Sequence, residues 1–344
     1  MKIAIVGYGS WGSQVLRSFS QVMAPKDLVV CEVRHKRQAA LHREHPRLAL
    51  TPSWHSVLAD ETVHAIVLCT PAMTHFDLAM QALKARKHVL VETPFVPGVE
   101  KASRLFAEAR RQDRVVMAGH VFSHSRHILA LRRLLAEGVL GRIRYLQSHR
   151  VSLGPRPREE ASVIWEYLVH DAYLLPLLVG RAPRHVWAQG GDYLRTGIPD
   201  VVFTAWDFGG GVLAACQASW YEPDEARRLC LTGSRRMAVF DDLREDARLL
   251  VCERGYEIET SMDAVEGDSL RLYDKGVQAV NPEGEEPLVA QCRAFLRAVS
   301  RGRPPRGHRP QVLTTMAILE AVERSVLRGG ATVAVEGSPL EEAA

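Results

Sequence analysis

The sequence predicts an α/β protein: an N-terminal doubly wound parallel sheet, then an α+β domain on a largely antiparallel open sheet. Three observations predict this. Short apolar runs alternate with helical patterns over the first third. Past about residue 120, strand patterns follow one another with turn signals between them. The length, 344 residues, suits two domains better than one. The expected division is 1–120 and 121–344, with the C-terminal helix packing back on the first part.

Residues 3–6 form a short apolar run, after which Val15, Leu16, Phe19 and Val22 recur at helical spacing. Runs at 28–31, 65–69, 88–91 and 115–118 are continuously apolar, as in strands of a parallel sheet covered on both faces. In the second part a helix is expected at 128–136 and a long strand at 142–152. A further helix is expected at 162–178, its end frayed or kinked by Pro176. Strands follow at 186–189, 201–208, 212–221, 229–232, 237–241 and 248–253, with Gly209, Gly210 and Gly211 as a hairpin turn. Helices at 287–300 and 310–327 close the chain.

Composition narrows the function classes. Hydrophobic residues make up 47% and charged residues 24%, the balance of a soluble globular protein. A net charge of +4 gives no concentrated basic face for nucleic acid. The basic run with Arg34, Lys36, Arg37, Arg43 and Arg47 has no interleaved aromatics and reads as a solvated helix face. The six cysteines form no CxxC pair, which argues against zinc and for a reducing compartment. No apolar run nears the roughly 20 residues of a membrane span, and no signal-peptide pattern opens the chain. The expectation is a cytoplasmic protein with no membrane partner and no metal.

Gly7-Tyr8-Gly9-Ser10-Trp11-Gly12 is a GxGxxG turn directly after a strand and opening a helix. In that context it is the Rossmann dinucleotide cradle. Gly7 makes the tight turn, Gly9 admits the pyrophosphate and Gly12 lets helix and strand pack closely. Ser10 and Trp11 share the helix N-terminus, whose free N–H groups and dipole favour phosphate. Glu32 stands at the end of the second strand, where a carboxylate binds ribose hydroxyls. It favours NAD; Arg34, Lys36 and Arg37 beside it keep NADP open.

Further segments carry a family signature: Thr70-Pro71-Ala72-Met73-Thr74-His75, 87–92, Ala118-Gly119-His120, Arg150, 165–171, Ser219-Trp220 and Gly233-Ser234. On these the chain resembles the Gfo/Idh/MocA oxidoreductases, with a sugar or nucleotide-sugar dehydrogenase-like subgroup nearest. The resemblance implies a small-molecule substrate, an active site between the two domains, and a homodimer or homotetramer formed through the second sheet. It assigns Thr70, Pro71, His75, Glu92 and Thr93 to the cofactor and His120, Arg150, Trp165 and Tyr173 to the substrate. His120, His124 and His127 have near-helical spacing but no acidic partner to complete a metal set. Arg150 and the Arg156/Arg158 loop have the chemistry to hold a phosphate, diphosphate or carboxylate.

One departure matters. The family's Glu-Lys-Pro is here Glu92-Thr93-Pro94. That lysine holds the reacting hydroxyl and helps move its proton; threonine carries no charge and does not titrate near neutral pH. Positioned acid–base groups are worth about 10²–10⁴ in rate. Glu166 and His170, four residues apart on one helix face, are the expected replacement. His170 would handle the proton and Glu166 would orient it and raise its basicity. Tyr173 stands where many members have a second aspartate. The expected function is an NAD(P)-dependent oxidoreductase of a sugar-like, nucleotide-sugar or polyol substrate. The alternatives are reduction of an imine or conjugated bond, chemistry on a held NAD with no net redox, and a non-catalytic NAD-binding sensor.

Overall fold

The structure, a computed structural model, describes residues 1–153, 162–259 and 269–340. The Arg156/Arg158 loop lies outside them. The N-terminal part runs β1 (Lys2–Val6), α1 (Ser10–Ser20), β2 (Leu28–Cys31), α2 (His35–Glu44), β3 (Ala49–Thr51), α3 (Trp54–Ala59), β4 (Val63–Leu68), α4 (Ala72–Lys84), β5 (His88–Glu92), α5 (Val99–Arg111) and β6 (Val116–Gly119). These strands form a parallel sheet in the order β3-β2-β1-β4-β5-β6. The order reverses beside β1, so the first βα turn faces the crevice at the carboxyl ends.

After α6 (Arg126–Ala136) comes the second sheet, with β7 (Ile143–Leu153), β8 (His185–Gly191), β9 (Val201–Asp207), β10 (Leu213–Ser219), β11 (Tyr221–Gly233), β12 (Met237–Asp241), β13 (Leu249–Glu259) and β14 (Ser269–Ala279). Between β7 and β8 lie a π-helical turn, Ile164–Leu168, and α7 (Val169–Val179). The chain ends with α8 (Pro287–Arg301), α9 (His308–Leu327) and β15 (Val333–Ala334). The strand order is β14-β13-β12-β11-β7-β10-β9-β8-β15, and its pairs are antiparallel apart from β7 with β10. Over much of β7 to β10 exposure alternates, one face packed and one open.

The two closing helices join the parts. Leu288, Cys292, Phe295 and Ala298 of α8 are buried in one core with Ile3, Ile5, Leu16 and Phe19. On the other face of the first sheet α9 is buried almost all round, in a core shared with α5, α7 and β8. Its Glu320 accepts the Val99 N–H at 3.0 Å, and so satisfies a first-turn donor of α5.

The structure differs from expectation at several points. The helix expected at 162–178 is a π-helical turn followed by α7, which has Pro176 inside it, runs to Val179 and stops at Gly180, whose φ of +85° is a left-handed cap. The strand expected at 212–221 divides at Trp220, whose N–H bonds Asp200 O at 2.9 Å and turns the chain into β11. The strand expected at 229–232 belongs to the 13-residue β11. The first half of β11 is polar and contains Pro223, so it lacks an apolar alternation; its pairing with β7 shifts register between Tyr221 and Ala226. β14 was not expected at all: Arg271, Asp274 and Lys275 interrupt its apolar residues, and it is an edge strand outside the core.

Candidate active site

The Gly7 turn leaves β1 with φ +92°, and a Cβ there would sit 2.9 Å from Cys69 O. A Cβ on Gly12 would overlap the Gly7 carbonyl oxygen, so this crossing admits only glycine. No side chain caps the start of α1, so its first N–H groups stay available. A cavity of about 660 Å³ opens beside them, lined by Gly7, Gly9, Ser10, Glu32, Arg34, Arg37, Thr70, Pro71, Pro94 and Glu166 among others. Glu32 is buried and fixed by two backbone donors, Tyr8 N–H to Oε2 and Arg34 N–H to Oε1, both at 2.8 Å. Arg37 approaches the same carboxylate at 3.6 Å.

His75, expected at the cofactor, is 2% exposed. Its Nδ1 lies 2.9 Å from Pro94 O and its Nε2 lies 2.8 Å from Thr70 O. It therefore pins the ends of β4 and β5 together. Thr93 is half-buried at the end of β5 and joined to Pro94 by a cis bond. Glu92 before it is buried, and burial pushes its carboxyl up to about 7, against the pull of Trp11, Gln291 and the Thr93 N–H. Lys101 lies on α5 with its ammonium 5.7 Å from the Phe76 ring.

A second cavity, about 550 Å³, is lined from both parts of the chain: Trp11 and Gln14 from α1, Phe122, Arg150 and Ser152, Glu166, Tyr167 and His170, Arg227 and Arg248, and Pro287 at the start of α8. Glu166 lines both cavities. The π-helical turn carries it, and His170 follows on α7 toward the second cavity. His170 meets the Phe122 ring edge-on at 5.2 Å. Burial first, then Arg150, His120 and Arg227, push its imidazole well below the ordinary histidine range. The expected rise in basicity is thus reversed: desolvation comes first, and the Arg150 and Arg227 cations add to it.

Arg150 is 8% exposed, its Nη2 is 3.4 Å from Asp171 Oδ1, and its guanidinium lies over Phe122 at 5.1 Å. His120 is buried with its ring stacked on Tyr173, centroids 4.0 Å apart, and neither ring nitrogen has a partner among the described residues. Tyr173 is itself buried and hydrogen-bonded to Ser123. Trp165 turns the other way and donates Nε1–H to Glu323 of α9 at 3.2 Å. Thr93, His120, Trp165 and Tyr173 are not among the residues lining the two cavities. Trp11, expected at the cofactor, lines the second cavity instead.

The residues not foreseen there are Phe122, Tyr167, Arg227, Arg248 and the α8 start. Tyr167 has a signal, since it lies between Glu166 and His170; its hydroxyl is 2.8 Å from Ser152 Oγ. Arg227, in β11, and Arg248, just before β13, are far away in sequence and carry no local signal.

A βαβ glycine turn beside a fixed acidic residue, opening on a mixed-sheet cavity, defines a dinucleotide-dependent oxidoreductase. Residues 1–120 match the oxidoreductase family described by its NAD-binding Rossmann fold, and residues 128–239 match the GFO/IDH/MocA C-terminal domain. The chain belongs to the Gfo/Idh/MocA oxidoreductase family. It is 28% identical over 310 residues to UDP-N-acetylglucosamine 3-dehydrogenase of Acidithiobacillus ferrooxidans, covering 88% of this chain and 90% of that one. It is 22% identical over 320 residues to myo-inositol 2-dehydrogenase of Thermotoga maritima, covering 89% and 90%. A solved structure of the Acidithiobacillus enzyme superposes with a TM-score of 0.76 at 25% identity, covering 95% of this chain and 97% of that one. Levoglucosan dehydrogenase in complex with NADH and L-sorbose shares the fold, with a TM-score of 0.79 at 18% identity over 97% and 98%. Among the described residues no helix is long and apolar enough to cross a membrane.

Proposed function

We propose that the protein is an NAD-dependent dehydrogenase of a sugar-like, nucleotide-sugar or polyol substrate. The observation that carries this is Glu166, shared by the dinucleotide cleft and the second cavity, with His170 on the substrate side. The names of the relatives, dehydrogenases of a nucleotide sugar and of an inositol, support the substrate class.

The cleft fits NAD: the Gly7–Gly12 crossing leaves no Cβ in the way, and Glu32 presents a fixed carboxylate to ribose hydroxyls. NADP would bring a second negative charge to Glu32, although Arg34 and Arg37 line the same cleft. Bound there, the dinucleotide supplies the hydride acceptor or donor. Everything else falls to the chain. His170 is neutral at pH 7 and can accept the hydroxyl proton as the alcohol becomes a carbonyl. Glu166 lines the same cavity as His170, and Thr93, at the end of β5, would donate a hydrogen bond to the reacting oxygen. We also infer a homodimer or homotetramer through the open face of the second sheet, where Tyr145, Trp187, Phe203 and Leu213 are exposed together.

The test is NADH formation with inositols, hexoses and UDP-N-acetylglucosamine, followed by single-turnover hydride transfer. His170→Ala should slow transfer by about 10²-fold or more. Transfer within a few-fold of the parent removes His170 from this role. Thr93→Lys supplies the second arm. If it creates alcohol oxidation that the parent lacks, the parent runs another reaction or none.

A further inference from the structure

Arg150 and Arg227 are direct partners across the antiparallel β7–β11 pair, so both side chains leave the sheet on the same face. That face is the second cavity, which both line. Like charges placed directly opposite destabilise a sheet. The Phe122 ring packs against Arg150 at 5.1 Å and against His170 at 5.2 Å, so the arginine pair and the imidazole line one cavity.

The inner arginine is poorly compensated. Asp171, the carboxylate behind Arg150, takes a 2.7 Å hydrogen bond from Ser148 and meets Arg150 only at 3.4 Å. Arg150 Nε is buried without a partner among the described residues. A desolvated guanidinium with an unmet donor is costly unless a ligand completes it. Among the described residues four acids line the cavity: Glu225 and Asp242 pair with Arg227 at 2.8 and 4.0 Å, Asp242 with Arg248 at 3.9 Å, Glu286 caps its own helix through Leu288 and Val289, and Glu166 stands where this cavity meets the dinucleotide cleft.

We propose that the substrate carries an anionic group, carboxylate or phosphate, held between Arg150 and Arg227 while its hydroxyl faces His170. The inference rests on the dehydrogenase reading for the second half of that statement; the anion subsite itself is independent of turnover. A planar guanidinium binds either oxyanion through paired N–H donors, so the geometry defines a chemistry common to uronates, sugar phosphates and nucleotide sugars. A neutral polyol would leave the Arg150 donor unmet.

The experiment is calorimetric titration of the NAD-loaded protein with glucuronate, glucose 1-phosphate and UDP-glucose, with glucose as the neutral reference. At least one anionic probe should bind about tenfold or more tightly than glucose, and which one does so identifies the oxyanion. Arg227→Gln, at a half-exposed site, should reduce that preference about tenfold; Arg150→Lys, which keeps the charge and loses the fork, should reduce it as well. Equal binding of all four probes overturns the proposal, as does a preference that survives both variants. Selective anion binding with no NADH formed from any probe leaves the subsite standing and counts against the dehydrogenase reading instead.

Discussion

Gln291 Nε2 donates to Glu92 Oε1 at 2.7 Å, joining α8 to the end of β5 across 199 residues of sequence. The bond ties the substrate-cavity helix to the strand that delivers Thr93. Glu92 Oε2 beside it is buried and has no partner among the described residues.

That carboxyl has a stability signature. Unfolded, Glu92 loses its proton near 4.5; folded, burial holds the proton up to about 7. Its contribution is therefore fully present below 4.5 and is lost as pH rises through about 7. Glu92→Gln should gain stability relative to the parent between pH 5 and pH 8.5, by about 3 kcal/mol. Urea midpoints at the two pH values measure it, and a constant difference between the proteins would contradict the assignment.

Buried histidines act with the opposite sign. Burial pushes His88, His124 and His308 down to about 4, and pushes His120 and His170 well below their ordinary value. The unfolded chain takes up these protons near pH 6.5 while the folded chain does not, so stability is present above 6.5 and lost as pH falls towards 4. His308 accepts the Ala118 N–H at 2.9 Å, a role that needs the neutral ring. Thermal melts from pH 7 to pH 4.5 should show a steep fall, and His308→Gln should make it shallower.

Gly12→Ala should abolish dinucleotide binding. Its methyl group would meet the Gly7 carbonyl, which cannot yield without opening the turn. Such overpacking costs about 1–3 kcal/mol, so the protein should still fold while NAD titration by fluorescence shows no saturation.

Glu32→Ala should weaken NAD by about tenfold to a hundredfold, the worth of hydrogen bonds to a charged group. NADP should gain relative to NAD, because Arg34 and Arg37 stay in the cleft without the opposing carboxylate. Measured affinities for both dinucleotides decide this; an unchanged ratio would mean Glu32 does not face the ribose.

Phe203→Glu on the open sheet face should shift the assembly towards monomer. Light scattering across a protein dilution series reads it, and a parent that is already monomeric removes the inferred interface.

The first sheet was legible because its signals are local. Residues 3–6 and the glycine turn that follows fix a strand, a crossing and a helix within a few residues of one another, and Glu32 is placed by the next strand. Glu166 and His170 are also a local pattern, four residues apart in sequence, and both line the second cavity. Tertiary structure alone decided the rest. Trp165 and Tyr173 point away from the cavity because a helix has several faces and only packing selects which one meets α9. His170 is pushed down rather than up because packing buries it first, and because Arg150 and Arg227 then arrive beside it from β7 and β11. Arg227 stands opposite Arg150 through a register set by an irregularity near Pro223, which no periodicity in the chain announces. Local sequence fixes backbone conformation; the charge that a side chain meets depends on long-range pairing.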